Sequence, residues 1–229
     1  MKNILLPTCL VFCFIISNAQ DCNFKKKIKL KYDNYKDLLH AVTLKPDTNY
    51  YIVEGKSKTI NRYGIVDKNA NEIVPPIYED YFYIGDGRKV VGRNAEKEIN
   101  DVWDLVTKTK ITLPFKKADF HVSEDMIAFE GDGGLWGFCN TKGEVVLKPA
   151  YKSVSTEFVN GVVIVTNSEE KYGVINKKGE QVIDYKFDYL SPCGKNLYIV
   201  CLGKDLEKYG LIDLKGNTIL PMEYKLIAE

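Results

Sequence analysis

Two histidines, His40 and His121, and 31 carboxylates are the groups of this 229-residue chain best suited to moving protons or holding a metal. The histidines lie in separate segments. Neither opens a set of Cys, His or carboxylate residues at metal-ligand spacing, so both read as surface or partly buried side chains. No Gly-x-Ser-x-Gly elbow is present to expose a nucleophilic serine. Gly131-Asp132-Gly133-Gly134 and Gly85-Asp86-Gly87 are glycine-rich. No helical pattern follows either one to receive a phosphate, so both are expected to be hairpin turns. A carboxylate pair assembled only in three dimensions, as in a glycosidase, would leave no motif and remains an alternative. The sequence therefore nominates no catalytic, cofactor-binding or metal-binding residue, and no cofactor. A formal net charge of +1 without a basic stripe excludes a nucleic-acid partner.

The first residues read as a leader. Met1-Lys2-Asn3 is positive, Ile4 to Ile16 is an apolar run, and Ser17-Asn18-Ala19 places small residues for a signal peptidase. Residues 1–19 are expected to be a secretory signal peptide cut before Gln20, the alternative being a buried N-terminal strand. Asp21 before Cys22 does not suit a lipid anchor. No other stretch approaches the length of a membrane span, so the mature chain is expected to be exported and soluble, in the periplasm, at the cell surface or outside the cell. Without Lys2, 31 of the 32 basic residues remain against 31 acidic ones. Four cysteines stay in the mature chain: Cys22, Cys139, Cys193 and Cys201. Cys139 sits in an apolar strand and reads as a small buried hydrophobe. Cys193 and Cys201 flank a turn and a strand, and bridge only if the loop brings their Cα atoms within about 7 Å.

The elements behind these residues repeat. Tyr63-Gly64-Ile65-Val66-Asp67, Trp136-Gly137-Phe138-Cys139-Asn140, Tyr172-Gly173-Val174-Ile175-Asn176 and Tyr209-Gly210-Leu211-Ile212-Asp213 are one pattern. A worn copy is placed at Trp103, with Asp104 in place of the glycine, giving aromatic spacings of 40, 33, 36 and 37 residues. In each unit an aromatic and two apolar residues form a first strand. An Asp or Asn four residues after the aromatic caps a turn. Gly143, Gly179 and Gly216 supply its positive φ; where Ala70 stands, Asn69 or Asn71 is expected to take that conformation. A second strand ends near a proline, and an aromatic (Tyr78, Tyr151, Phe187, Tyr224) follows fifteen residues after the first. Third strands include Gly161 to Val165 and Leu197 to Val200, with Met126 to Phe129 and Tyr81 to Ile84 as further candidates. The strands are apolar at consecutive positions, which requires cover on both faces and hence stacked sheets. Residues 20–48 fall outside the pattern. A short strand is expected over Phe24–Tyr32, whose lysines read as a solvated edge or as an arm for an anionic surface, and a helix over Tyr35–Thr43.

Trp136-Gly137-Phe138, Lys142-Gly143 and Pro149-Ala150-Tyr151 resemble the bacterial WG (KWG) repeat over roughly residues 50–229. The resemblance implies an all-β protein of tandem antiparallel three-stranded units, about five in number, stacked as a propeller-like ring or an open twisted solenoid. The domain expectation is a repeat array over 49–229, preceded by the non-repeat segment 20–48. In a ring, the strand Asn49–Glu54 would complete the last unit and hide both edges. The resemblance implies neither an enzyme nor a defined ligand. The expected function is a non-catalytic binding or scaffold module for a protein or glycan partner; the alternatives are a secreted glycan or peptide hydrolase and a structural spacer. Function is expected where the copies differ: the loops near 85–100, 155–161 and 191–196, and the segment before residue 49. Trp136 is expected to be a packing residue. Trp136→Ala should then cost about 3–5 kcal/mol and lower the melting temperature sharply, whereas an unchanged melting curve would mark it as ligand-facing.

Overall fold

The computed structural model describes residues 23–40, 46–55, 61–79, 82–94, 96–194, 196–203 and 208–225. The expected signal peptide and Cys22 lie outside them. The chain divides into two compact units, Met1–Phe82 and Tyr83–Glu229.

The first unit holds a helix, α1 (residues 23–31), and strands β1 (Tyr32–His40), β2 (Pro46–Gly55), β3 (Tyr63–Asp67) and β4 (Glu72–Tyr78). The strands run in the order β4-β3-β2-β1. Helix and strand are thus exchanged relative to the sequence expectation: Phe24–Tyr32 is largely helical, and Tyr35 to His40 lie in a strand. The Lys-apolar alternation at the end of the first segment is misleading, because Leu30 is 73% exposed. Phe24 and Ile28, four residues apart, are the pair that faces inward, which is a helical spacing. They share a buried cluster with Tyr32, Val53 and Val66. The lysines are partly tied to the fold: Lys31 Nζ and the Tyr32 hydroxyl donate to Glu72 Oε2, each at 2.7 Å, and Lys27 Nζ reaches the Asn69 carbonyl at 3.3 Å. β2 pairs with β1 on one side and β3 on the other, so this strand is not available to complete the last sheet.

The second unit starts with β5 (Tyr83–Ile84) and a 3-10 turn, Asp86–Arg88, where a hairpin turn was expected. Four antiparallel sheets follow. A three-stranded sheet comes first, of β6 (Lys89–Asn94), β7 (Ile99–Asp104) and β8 (Thr109–Leu113). The next has four: β9 (Lys117–Ala118), β10 (Met126–Glu130), β11 (Trp136–Asn140) and β12 (Val145–Tyr151). It is repeated by β13 (Ser153–Val154), β14 (Val162–Thr166), β15 (Tyr172–Asn176) and β16 (Gln181–Phe187). The last comprises β17 (Tyr189–Pro192), β18 (Leu197–Cys201), β19 (Tyr209–Asp213) and β20 (Thr218–Tyr224). Three sheets therefore gain a short fourth strand beyond the expected three, and the segment near 85–100 read as a loop contains β6.

The consecutive apolar pair of each motif strand points in two directions. Phe138 and Leu147 share a cluster with Phe158, Val163, Val165 and Ile175 of the following sheet. Val174, Ile183 and Phe187 do the same with Leu190, Tyr198, Val200 and Ile212. Cys139, the other member of the first pair, turns back into a cluster with Val102 and Leu113. Burial pushes its thiol up to about 12, as expected for an inert filler. Cys193 and Cys201 are unbridged. Trp136 is half-buried, packs on the Phe138 cluster and stands opposite Tyr151.

The motif glycine has a steric reason. A Cβ on Gly64 would stand 2.5 Å from the Val74 carbonyl oxygen, and one on Gly137 2.5 Å from that of Leu147. The neighbouring strand bulges onto this bare backbone, and register shifts mark the pairings of β4, β12, β16 and β20 with their partners. The capping side chain closes the turn as expected: Asp67 Oδ1 accepts from the amides of Asn69 and Asn71 at 2.8 and 2.9 Å. The left-handed residue, however, is Ala70 itself, at φ 62°, matching Gly143, Gly179 and Gly216. Asp67 fixes the turn so firmly that position, not residue preference, decides which residue carries the strain. Ala70→Gly relieves about 1–2 kcal/mol of strain against about 0.5–1 kcal/mol of added chain entropy. It should raise the melting temperature by a few degrees, and a fall would mean that the Ala70 methyl contributes more by packing near Phe24.

Candidate functional site

The unit containing β7 and β8 departs from its neighbours in a connected way. Its turn cap is Asp104, whose Oδ1 accepts from the amides of Val106 and Thr107, each at 2.9 Å. Asp104 therefore matches Asp67, Asn140, Asn176 and Asp213, and does not replace the glycine. Counting back four residues, Asn100 stands in the place of the aromatic and Asp101 in the place of the glycine. The sequence alignment on Trp103 was three residues out of phase. With Asn100 the spacings become 37, 36, 36 and 37 residues, more regular than those through Trp103. That regularity was readable in the sequence, but only if one unit was allowed to have lost both signature residues.

Both replacements are buried: Asn100 is 0% exposed and Asp101 1%. Asp101 carries a Cβ, so the close approach seen at Gly64 or Gly137 is closed to its neighbour. β8 accordingly pairs with β7 in unbroken register from Asn100↔Leu113 to Asp104↔Thr109. Leu113 lies thirteen residues after Asn100, whereas the cross-strand aromatics elsewhere lie fifteen after theirs. The next sheet still begins seventeen residues on, at Lys117, as at Ser153 and Tyr189. The two residues saved by a flat β8 thus lengthen the connector that follows. Residues 114–116 do the job of single residues, Lys152 and Asp188, in the next two units.

Asn100 holds this longer connector. Its Nδ2 donates to the carbonyls of Phe115 at 2.9 Å and Lys116 at 3.0 Å, while its Oδ1 is buried with no hydrogen-bond partner among the described residues. Phe115 lies stacked on Phe129, ring centroids 3.7 Å apart. The connector lines a groove of about 700 Å³ whose other walls include Phe129, Glu130, Val145 and Pro149. Pro114, Phe115, Val145 and Pro149 make it apolar, and Lys116, Lys117, Lys148, Glu130 and Asp132 make its rim charged. Lys117 pairs with Glu130 at 2.9 Å, and Lys116 with Glu98 at 2.6 Å.

A second groove, of about 510 Å³, occupies the related place one unit on and is lined by Lys152, Glu169, Glu170 and Asp188. Lys152 pairs with Glu170, and Lys171 with Asp188 at 2.6 Å. The loops 155–161 and 191–196 meet at a smaller hollow of about 110 Å³. They are also used for packing: the Phe158 amide donates to Ser123 Oγ, and the Gly161 amide to the Glu124 carboxylate. His121 Nδ1 donates to Asp119 Oδ1 at 2.6 Å, and its ring stacks on Tyr83. The Asp119 hydrogen bond, opposed by burial, raises the imidazole above its ordinary 6.5. Five carboxylates sit below the ordinary range. Lys116 holds Glu98 down, and the Asn217 side chain and amide hold Asp213 down. Burial pushes Glu72, Asp104 and Glu124 up, but hydrogen bonds from Lys31 and Tyr32, from Thr107 and Val106, and from Lys177 and Gly161 more than reverse it. Among the described residues, no cluster of three or more His, Cys, Asp or Glu could hold a metal ion, and no helix is long and apolar enough to cross a membrane.

These features define a protein of tandem antiparallel β-repeats in which one unit has diverged. It belongs to the WG-containing-repeat family: the family model matches residues 63–89, 136–169, 172–204 and 209–229, half of the chain. The gap in that match spans the divergent unit. No curated protein matches the chain. Among solved structures it is similar to a Kluyveromyces lactis Hsv2 with loop 6CD replaced by a Gly-Ser linker, at 13% identity and TM-score 0.45, over 76% of this chain and 62% of that one. It is also similar to BamB from Moraxella catarrhalis, at 12% identity and TM-score 0.39, over 72% and 54%. An uncharacterised protein of Listeria monocytogenes EGD-e gives 10% identity and TM-score 0.46, over 82% and 65%. The chain spans less than two thirds of the length of each.

Removing the Asn100 amide should loosen the connector. Asn100→Ala is expected to destabilise the chain by about 1–3 kcal/mol and to speed amide exchange at residues 115–118. Unchanged exchange there would mean that Phe115 stacking alone holds the segment.

Proposed function

We propose that this WG-repeat protein is an exported, non-catalytic binding or scaffold module that takes a protein or glycan partner at the cell envelope or outside the cell. The observation that carries the reading is the groove beside the divergent unit. Repeat arrays place functional variation where one unit departs from the rest while the stacking frame is kept. Here the frame holds at seventeen residues, and the two displaced residues deliver Phe115 and Lys116 to a concave apolar surface with a charged rim. Such a surface suits recognition by contact area plus a few oriented polar groups. Export rests on the charge, apolar run and small residues of positions 1–19.

The test is a binding screen of the chain from Gln20 against arrayed bacterial envelope glycans and displayed peptides. Phe115→Ser and Lys116→Glu should each weaken a selected ligand about tenfold or more, and Lys116→Glu, at an exposed site, should leave the melting temperature within a few degrees. Retention of binding in both variants would remove the groove from the function. Turnover of an arrayed glycan or peptide, abolished by Glu170→Gln or Asp188→Asn, would establish the hydrolase alternative instead.

A further inference from the structure

The outermost strand of a repeat sheet is an edge, with one row of main-chain amides and carbonyls turned away from its partner. β4, β12 and β20 carry prolines at Pro75 and Pro76, Pro149 and Pro221, and these three and β16 all carry register shifts. Proline and bulges are the means by which sheet edges are kept from pairing with another chain. β8 has neither. Its five residues, Thr109 to Leu113, contain no proline and stay in unbroken register with β7. In the order β6-β7-β8 it is the edge.

The guard that remains to β8 is Lys110, and Asp101 draws it back. Lys110 Nζ lies 3.1 Å from Asp101 Oδ2, and Thr112 Oγ1 donates to Asp101 Oδ1 at 2.5 Å. Both side chains thus reach across the sheet to β7, away from the open edge. Asp101 has two effects in one position: its Cβ forbids the bulge, and its carboxylate gathers the polar side chains of β8. Ile111, 42% exposed, offers an apolar contact on the opposite face of the strand. The run from Thr107 to Lys117 holds no carboxylate; Lys110 is drawn to Asp101, Lys116 to Glu98 and Lys117 to Glu130, which leaves Lys108 as the lysine of the edge with no ion pair among the described residues.

We propose that β8 takes an extended peptide bearing acidic residues as an additional β-strand. Main-chain hydrogen bonds to Thr109–Leu113 supply affinity. Ile111 contacts alternate apolar side chains, and Lys108 at one end selects a carboxylate and fixes the register. The inference rests on the reading of the chain as a binding module and gives that module a partner class. The flat edge and the long connector share one origin, because both follow from the loss of the bulge at Asp101.

The experiment uses the chain from Gln20 and a displayed library of short peptides in which β-branched and acidic residues alternate. An enriched peptide should slow amide exchange within residues 109–113. N-methylation of alternate peptide amides should weaken it about tenfold or more in one phase and leave the other phase near wild type, because only one row of amides faces β8. Ile111→Lys, a change at an exposed site that restores an edge guard, should abolish binding without lowering the melting temperature. Three results would overturn the proposal: no enrichment, equal tolerance of both N-methylation phases, or binding that survives Ile111→Lys. If binding of any arrayed ligand is instead lost with Phe115→Ser and kept with Ile111→Lys, strand addition fails while the binding-module reading stands.

Discussion

The fold depends on a consecutive pair of apolar side chains in each motif strand, one facing the sheet behind and one the sheet ahead. In the sheets of the second unit the forward member (Val102, Phe138, Val174) shares a buried cluster with the backward member of the next (Cys139, Ile175, Ile212). Successive side chains on a strand point to opposite faces, so such a pair cannot be satisfied by one layer. Burial on both sides forces the stack. In the first unit a helix covers the backward residue of β3: α1 sets Phe24 and Ile28 against Val66. The lysines of α1 lie on its exposed side.

Once the stack is fixed, the remaining signature residues follow from the turn and the edge. The Asp or Asn side chain accepts from turn amides and sets which residue is left-handed, even where that residue is Ala70. The motif glycine lets the outer strand bulge inward, and the bulge blunts an edge that stacking leaves open. The glycine is therefore a device of the edge as much as of the backbone.

The divergent unit shows what happens when that device is removed under a fixed repeat frame. Asp101 in place of glycine flattens β8. The strand then ends two residues early, and Asn100, in place of the aromatic, secures the surplus against the carbonyls of Phe115 and Lys116. A groove and a flat edge arise together. Polar residues at two signature positions are tolerated because each finds partners: Asp101 takes Lys110 and Thr112, and Asn100 Nδ2 takes two carbonyls.

The sequence alone determined the repeat period, the all-β class, the capping residues and the two-sided burial, because each leaves a local trace in residue type or spacing. It also located Cys139 as a filler and Gly131 to Gly134 as a turn. It misplaced what depends on partners distant in the chain. Residues 23–31 and 32–40 exchange helix for strand because α1 must cover Val66 and β1 must pair with β2, contacts no local pattern encodes. The phase of the worn unit was lost because Trp103 offered a false anchor, and only the bonds from Asp104 to its turn show that Asn100 holds the aromatic's place. The groove at 114–117 was decided by tertiary structure alone. It exists because a Cβ on Asp101 keeps a neighbouring strand flat, and that steric fact appears only when the strands lie side by side.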